Sequence, residues 1–207
     1  MRIFGMKKIS NGIFFALSLT LSTFVAAETK IQSGIYEQIL IAVTPDNKIE
    51  AYYHELTGNN NSMSCSFYIQ GDIKSTNDIK ISIESMGKYT GKLAFDDKQV
   101  TLTINEDYHL AGCSNSLAPS VLEGSDYSLT YIKKWIGLKT ISAKKAYLYK
   151  QPNLDSIHKA YVVKGNVVAV LEEKGNWTKV EYKNENDKFY KGWVKKEQYI
   201  TFSETKW

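Results

Sequence analysis

Residues 78–84 read Asp78-Ile79-Lys80-Ile81-Ser82-Ile83-Glu84. Three isoleucines recur at every second position, with polar residues between them. In an extended chain this puts Ile79, Ile81 and Ile83 on one face and Lys80 and Ser82 on the other, the pattern of a half-buried strand. The neighbouring segments repeat it. Ile35–Val43 is β-rich and ends at the turn-forming run Thr44-Pro45-Asp46-Asn47. Lys48–Leu56 and Ser64–Ile73 follow, separated by the polar loop Gly58–Ser62. Tyr89–Phe95 and Val100–Ile104 form a hairpin about Asp96-Asp97-Lys98, and a loop at Ala118-Pro119-Ser120 leads to Tyr127–Tyr131. No period of 3.6 persists after residue 27. About seven or eight short strands joined by short loops predict an all-β fold, an antiparallel meander closed as a barrel or stacked as a sandwich.

The chain has 207 residues, 43% hydrophobic and 23% charged, which excludes collagen-like, disordered and low-complexity classes. Its start reads as an export signal. Arg2, Lys7 and Lys8 precede an apolar run from Ile13 to Val25, and Val25-Ala26-Ala27 offers the small residues of a cleavage site. That run is shorter than the roughly 20 residues needed to span a bilayer. Residues 1–27 are therefore expected to be a cleaved signal peptide, the alternative being an uncleaved anchor. No Cys stands near the cleavage site, so no lipid anchor is expected there. The mature chain is predicted to be periplasmic or secreted and not membrane-anchored.

Beyond residue 27 there are 23 basic residues against 22 acidic, a balance that does not suggest a nucleic-acid binder. Arg2 is the only Arg, so a phosphate or carboxylate site built on guanidinium forks is excluded. Residues 28–137 hold 9 Lys against 14 acids, and residues 138–207 hold 14 Lys against 8. The sign change suggests two domains, 28–135 and 138–203, whose surfaces either attract each other or divide the work, the basic one meeting an anionic envelope polymer. Lys133-Lys134-Trp135-Ile136-Gly137 joins them without a Pro/Ser/Gly linker, which predicts tight docking.

An exported chain with two Cys predicts a disulfide between Cys65 and Cys113. Met63-Ser64-Cys65-Ser66-Phe67 is superficially similar to the Cys-Ser of NlpC-type wall peptidases. Those enzymes place the Cys at a helix start, where the dipole lowers its pKa. Cys65–Gln70 instead alternates like a strand, and His54, His109 and His158 lie in no recognisable catalytic context. Carboxylate pairs such as Asp96-Asp97 and Glu106-Asp107 sit in turn contexts. No metal-ligand spacing or phosphate-cradling Gly loop is seen. No enzyme activity, metal or cofactor is expected.

The C-terminal motifs are more specific. Ala146-Tyr147-Leu148-Tyr149 is followed by Pro152, Val162-Val163-Lys164-Gly165, Val167–Leu171, Gly175-Asn176-Trp177-Thr178-Lys179-Val180 and Gly192-Trp193-Val194. This order resembles the bacterial SH3-like domain, with an insert at Lys183–Lys188 longer than that hairpin's usual turn. The resemblance implies a small β-barrel that binds rather than catalyses, commonly at peptidoglycan or its peptide stems. A preference for proline-rich ligands is not implied. Parity alone gives a compatible core of Ala146, Leu148, Val180 and Val194, which turns Tyr147, Tyr149, Trp177 and Trp193 off-core. These four are the candidate ligand-binding residues; the alternative is that they cover the barrel or pack on the first domain.

In the first domain, Met86-Gly87-Lys88-Tyr89 with its hairpin and Cys resembles the loop of periplasmic lysozyme inhibitors, small disulfide-stapled β-barrels. The sequence thus predicts a non-catalytic binding protein of the bacterial envelope. Its partner would be an envelope protein or peptidoglycan, and its most concrete form an inhibitor or immunity protein against a wall-degrading enzyme. A wall-anchored structural module and a wall hydrolase are the competing readings.

Overall fold

The computed structural model describes residues 31–57, 63–85, 87–105, 110, 113 and 119–204. The expected signal peptide at 1–27, the loop Gly58–Ser62, Met86, the Glu106-Asp107 pair, His109 and, from the loop at Ala118-Pro119-Ser120, Ala118 lie outside the described residues.

The first eight strands are β1 (Gly34–Tyr36), β2 (Ile39–Val43), β3 (Lys48–Thr57), β4 (Met63–Asp72), β5 (Ile79–Glu84), β6 (Lys88–Phe95), β7 (Gln99–Ile104) and β8 (Ser125–Ile132). Each pairs antiparallel with its sequence neighbour, and β8 pairs with β1, which closes the barrel. Of the two predicted forms, the meander takes the barrel. Ile35–Val43, one apolar run in sequence, is two strands: it turns at Glu37-Gln38, where Glu37 takes a φ of 51°. The Asp96-Asp97-Lys98 turn forms as expected, Asp96 Oδ1 accepting from the backbone N–H of Lys98 and Gln99 at 2.9 Å each.

Ile79, Ile81 and Ile83 all point inward, as their alternation requires. They meet Ile39, Ile49, Phe67, Leu93 and Leu102 in one core. Tyr53 stacks on Phe67 at 4.7 Å, and Tyr36 meets Phe95 edge-on at 5.8 Å. The barrel interior is filled by side chains, as expected at this strand number. Cys65, inward on β4, is bonded to Cys113 in the connection between β7 and β8. The staple ties a strand to a loop inside the same core.

The remaining strands are β9 (Gly137–Ile141), β10 (Lys145–Tyr149), β11 (Ile157–Val163), β12 (Val167–Lys174), β13 (Trp177–Lys183), β14 (Phe189–Lys195) and β15 (Tyr199–Ile200). They form one antiparallel sheet in the order β11-β10-β14-β13-β12-β9-β15. Ile141 on β9 and Val162 on β11 belong to the same buried cluster as Ala146, Leu148, Val168, Val180 and Val194. Residues near opposite ends of the sheet therefore meet, so the sheet curls into a small barrel-like layer. The motif glycines have local causes. Gly175 turns β12 into β13 at a φ of 55°, and a Cβ on Gly192 would sit 2.6 Å from Leu148 Cβ, where β14 crosses β10.

The two units are docked through a buried apolar layer. The outer faces of β1, β2 and β4 contribute Ile35, Ala42 and Tyr68, which meet Trp135, Leu138, Val167, Ala169 and Phe202. Tyr68 and Phe202 rings lie 4.1 Å apart. Polar groups at this seam are satisfied across it. Tyr68 Oη bonds Thr140 Oγ1 at 2.9 Å, and the Leu138 N–H donates to Glu50 Oε2 at 2.6 Å. Such pairing is what makes burial of polar atoms tolerable. The expected docking is therefore present, built on alternate residues of strands whose other face fills the first barrel.

Candidate functional site

The candidate aromatic residues lie on the side of β10, β13 and β14 opposite the core. Ala146 and Leu148 are buried, and Lys145, Tyr147 and Tyr149 alternate with them. Cross-strand pairing then sets the rings side by side. Tyr147 pairs with Tyr161 of β11, and their rings meet edge-on at 6.0 Å. Tyr149 pairs with Trp193, and its ring meets Trp177 edge-on at 5.0 Å. Trp193 also pairs with Lys179, whose Nζ lies 5.9 Å from the indole. Lys145 Nζ caps the other end, 3.7 Å from the Tyr161 ring and 4.7 Å from Tyr147.

The structure thus brings all four predicted residues onto one aromatic surface, but not in one role. Tyr147, Tyr149 and Trp177 are half-buried. Trp193 is only 6% exposed. It lies off the barrel core, as parity places it, but is covered, on β14 between β10 and β13. Parity gives the face of a residue, not its depth. Tyr161, 49% exposed, completes the surface and was not singled out from sequence. The signal was available, since it alternates with the core residue Val162. Beside Trp177 lies an open recess of about 550 Å³ lined by Asn153, Leu154, Asn176 and Lys195.

This surface presents flat rings, two Lys ammonium groups and shallow relief, so it can hold an extended ligand by stacking and weak charge contact. Among the described residues, no three His, Cys, Asp or Glu side chains converge to hold a metal ion. His54 Nδ1 lies 2.7 Å from Ser66 Oγ, while Cys65 points into the first barrel and is disulfide-bonded. His158 Nδ1 accepts from the Ala160 N–H, and Asp96 caps its own turn.

The chain is thus all-β: a filled eight-stranded barrel docked on a small curled sheet that carries an aromatic outer face. Residues 144–201 match the family model for the bacterial SH3 domain, and this C-terminal region is such a domain. No curated protein and no solved structure matches the chain.

Proposed function

We propose that the chain is an exported, non-catalytic binding protein of the bacterial envelope, and that the aromatic face of its SH3 domain takes peptidoglycan or an envelope protein. The observation that carries this reading is the ring surface of Tyr147, Tyr161, Tyr149 and Trp177, with Trp193 paired to Tyr149 on the same side of the sheet. Isolated apolar side chains at a surface need no explanation, but a contiguous ring-bearing patch marks an interaction site. The lysine excess of residues 138–207 supports an anionic envelope ligand. The leader-like residues 1–27 and the disulfide support export.

The finer form is an inhibitor or immunity protein against a wall-degrading enzyme. It draws on the first barrel, whose side-chain-filled interior directs any partner to the outer surface and loops. The test is co-sedimentation of the mature chain with purified sacculi, alongside pull-down from envelope extract. Sedimentation lost in Trp177→Ala supports the wall reading. Capture of a wall hydrolase that the protein then inhibits supports the finer one. Neither outcome in a folded protein refutes both.

A further inference from the structure

A second cavity lies away from the aromatic face, where the two units meet. It has a volume of about 620 Å³, within the range that ligand sites occupy. One side carries Tyr52, His54 and Leu56 of β3, and the other Tyr182, Lys183 and Asn184 at the inserted hairpin turn. That turn is a fixed lip, since Asn184 Oδ1 accepts from the N–H groups of Asn186 and Lys188. Most charged groups of the lining are committed elsewhere. Glu55 points inward to the Tyr53 hydroxyl at 2.6 Å, Glu37 reaches the Ser128 N–H at 2.9 Å, and Lys183 Nζ lies 2.6 Å from Asp187. The cleft therefore suits a neutral ligand better than an ion.

The backbone along this cleft is an open strand edge. β2 follows β3 only as far as Ile39 opposite Tyr53, because the chain turns back into β1 at Glu37-Gln38. β3 runs on to Thr57, paired on its other side with β4 as far as Met63. The His54 N–H donates to the Gln38 carbonyl at 3.0 Å, so His54 faces the β2 side. Backbone groups face the same edge at every second residue, so the N–H and carbonyl of Leu56 open on that side too, where Leu56 lines the cleft. Among the described residues no hydrogen bond takes either group. The outer edge of the SH3 sheet is treated differently. On β11 a register shift interrupts the pairing, and Asn166 Oδ1 takes the Val163 N–H at 3.0 Å. Bulges and coverings of this kind keep other chains off a strand edge. The β3 register has no such shift.

We propose that the cleft takes a neutral, extended segment of a partner protein, added to β3 as a short strand in the line of β2. Its pairing residue exchanges N–H and C=O bonds with Leu56, the mode of strand addition. The side chain of that residue lies beside Leu56 and His54 and across from Tyr182, so an apolar or aromatic residue fits there. Proline is excluded at that position, because it brings no N–H. A glycan could stack on the rings but could not complete the ladder. The site stands apart from the aromatic face, and neither reading rests on the other.

The test is an amide-resolved NMR titration of the full chain. The probe is a pool of capped pentapeptides, acetyl-X-Thr-X-Thr-X-amide, with X drawn from Val, Leu and Phe. Two twin pools carry N-methyl groups on either the X or the Thr nitrogens, and diacetylchitobiose is the glycan probe. The parent pool should shift the amides of His54, Leu56 and Asn184, and diacetylchitobiose should leave them in place. Successive N–H groups of a strand face opposite edges, so methylation at X should weaken binding about tenfold and methylation at Thr should not. Leu56→Pro removes an N–H that does not face β4, so it should keep the fold and weaken the parent pool about tenfold, while Leu56→Val should bind as the natural chain does. If Leu56→Pro loses the dispersed amide spectrum of the fold, the twin pools decide alone. Trp177→Ala should leave binding unchanged, which separates this site from the aromatic face. Equal binding of the two twins, shifts from diacetylchitobiose alone, shifts centred on Trp177, or no shifts in the cleft would each overturn the proposal.

Discussion

The indole Nε1 of Trp135 donates to Glu181 Oε2 at 2.9 Å, across 46 residues and through the interior of the joint between the two units. Glu181 is 3% exposed. Lys133 lies 3.0 Å from the same oxygen and Lys191 lies 3.2 Å from the other. Lys133 also sits 3.5 Å over the Phe189 ring. One carboxylate on β13 thus fixes two residues of the connecting segment, which holds the first barrel's last strand to the SH3 domain.

The linkage has a defined sign. Burial alone would raise the Glu181 pKa, but hydrogen bonds from Lys133, Trp135 and Lys191 outweigh it and hold the value below the usual range. Its contribution to stability is then complete above the unfolded value of roughly 4.3 and is lost as pH falls through the folded one. Denaturant unfolding measured between about pH 6 and pH 3 should show a steeper acid loss for the natural chain than for Glu181→Gln. Parallel curves would remove Glu181 from the account of the joint.

Truncating the same residue tests the joint mechanically. Glu181→Ala leaves the partly buried Lys133 without its anion, and breaking a buried pair costs about 3 kcal/mol. In the natural chain trypsin should cut at the exposed turn near Lys188 before Lys133 or Lys134. In Glu181→Ala the order should reverse, read by mass spectrometry of the first fragments. Early release of a fragment beginning near residue 135 from the natural chain would show that the joint is open.

The disulfide closes a 48-residue separation, which is worth roughly 4 kcal/mol in the chain-entropy account. Denatured, unreduced protein should show no free thiol. Cys65→Ser with Cys113→Ser should lose stability of about that size and keep whatever ligand the SH3 domain binds. Two free thiols in protein taken from the envelope would refute the pairing in the cell.

Much of this was legible in the chain. Ile79-Lys80-Ile81-Ser82-Ile83 fixes its own two faces, and the two Cys admit one internal pairing. The glycines and tryptophans of the SH3 motifs follow from turns and close strand crossings such as Gly192 on Leu148. Other features were not legible, for a common reason: they depend on what lies beyond a strand's own period. Closure of the barrel rests on β8 returning to β1, a pairing of distant segments. Leu40, Ala42 and Tyr68 merge with the inward residues into continuous apolar runs, because both faces are covered, one by the core and one by the second unit. Glu181 reads as an ordinary surface acid until Trp135 is placed over it.

The aromatic face divides its two tryptophans, and one mutant pair tests the division. Trp177 is half-buried and pairs with Lys195 at the start of β13, where its ring meets that of Tyr149. Trp193 is covered at the centre of the sheet. Removing a solvent-facing anchor costs binding, typically ~2 kcal/mol, with little cost to the fold. Removing a buried tryptophan leaves a cavity and costs ~3–5 kcal/mol of stability. Trp177→Ala should therefore lose sacculus or partner binding at a near-normal Tm, while Trp193→Ala should melt markedly lower. The conservative variants Trp177→Phe and Trp193→Phe should each recover part of the respective loss. Unchanged binding in Trp177→Ala at a normal Tm would withdraw the face as a ligand surface. A near-normal melt for Trp193→Ala would show that its burial carries little of the domain's stability.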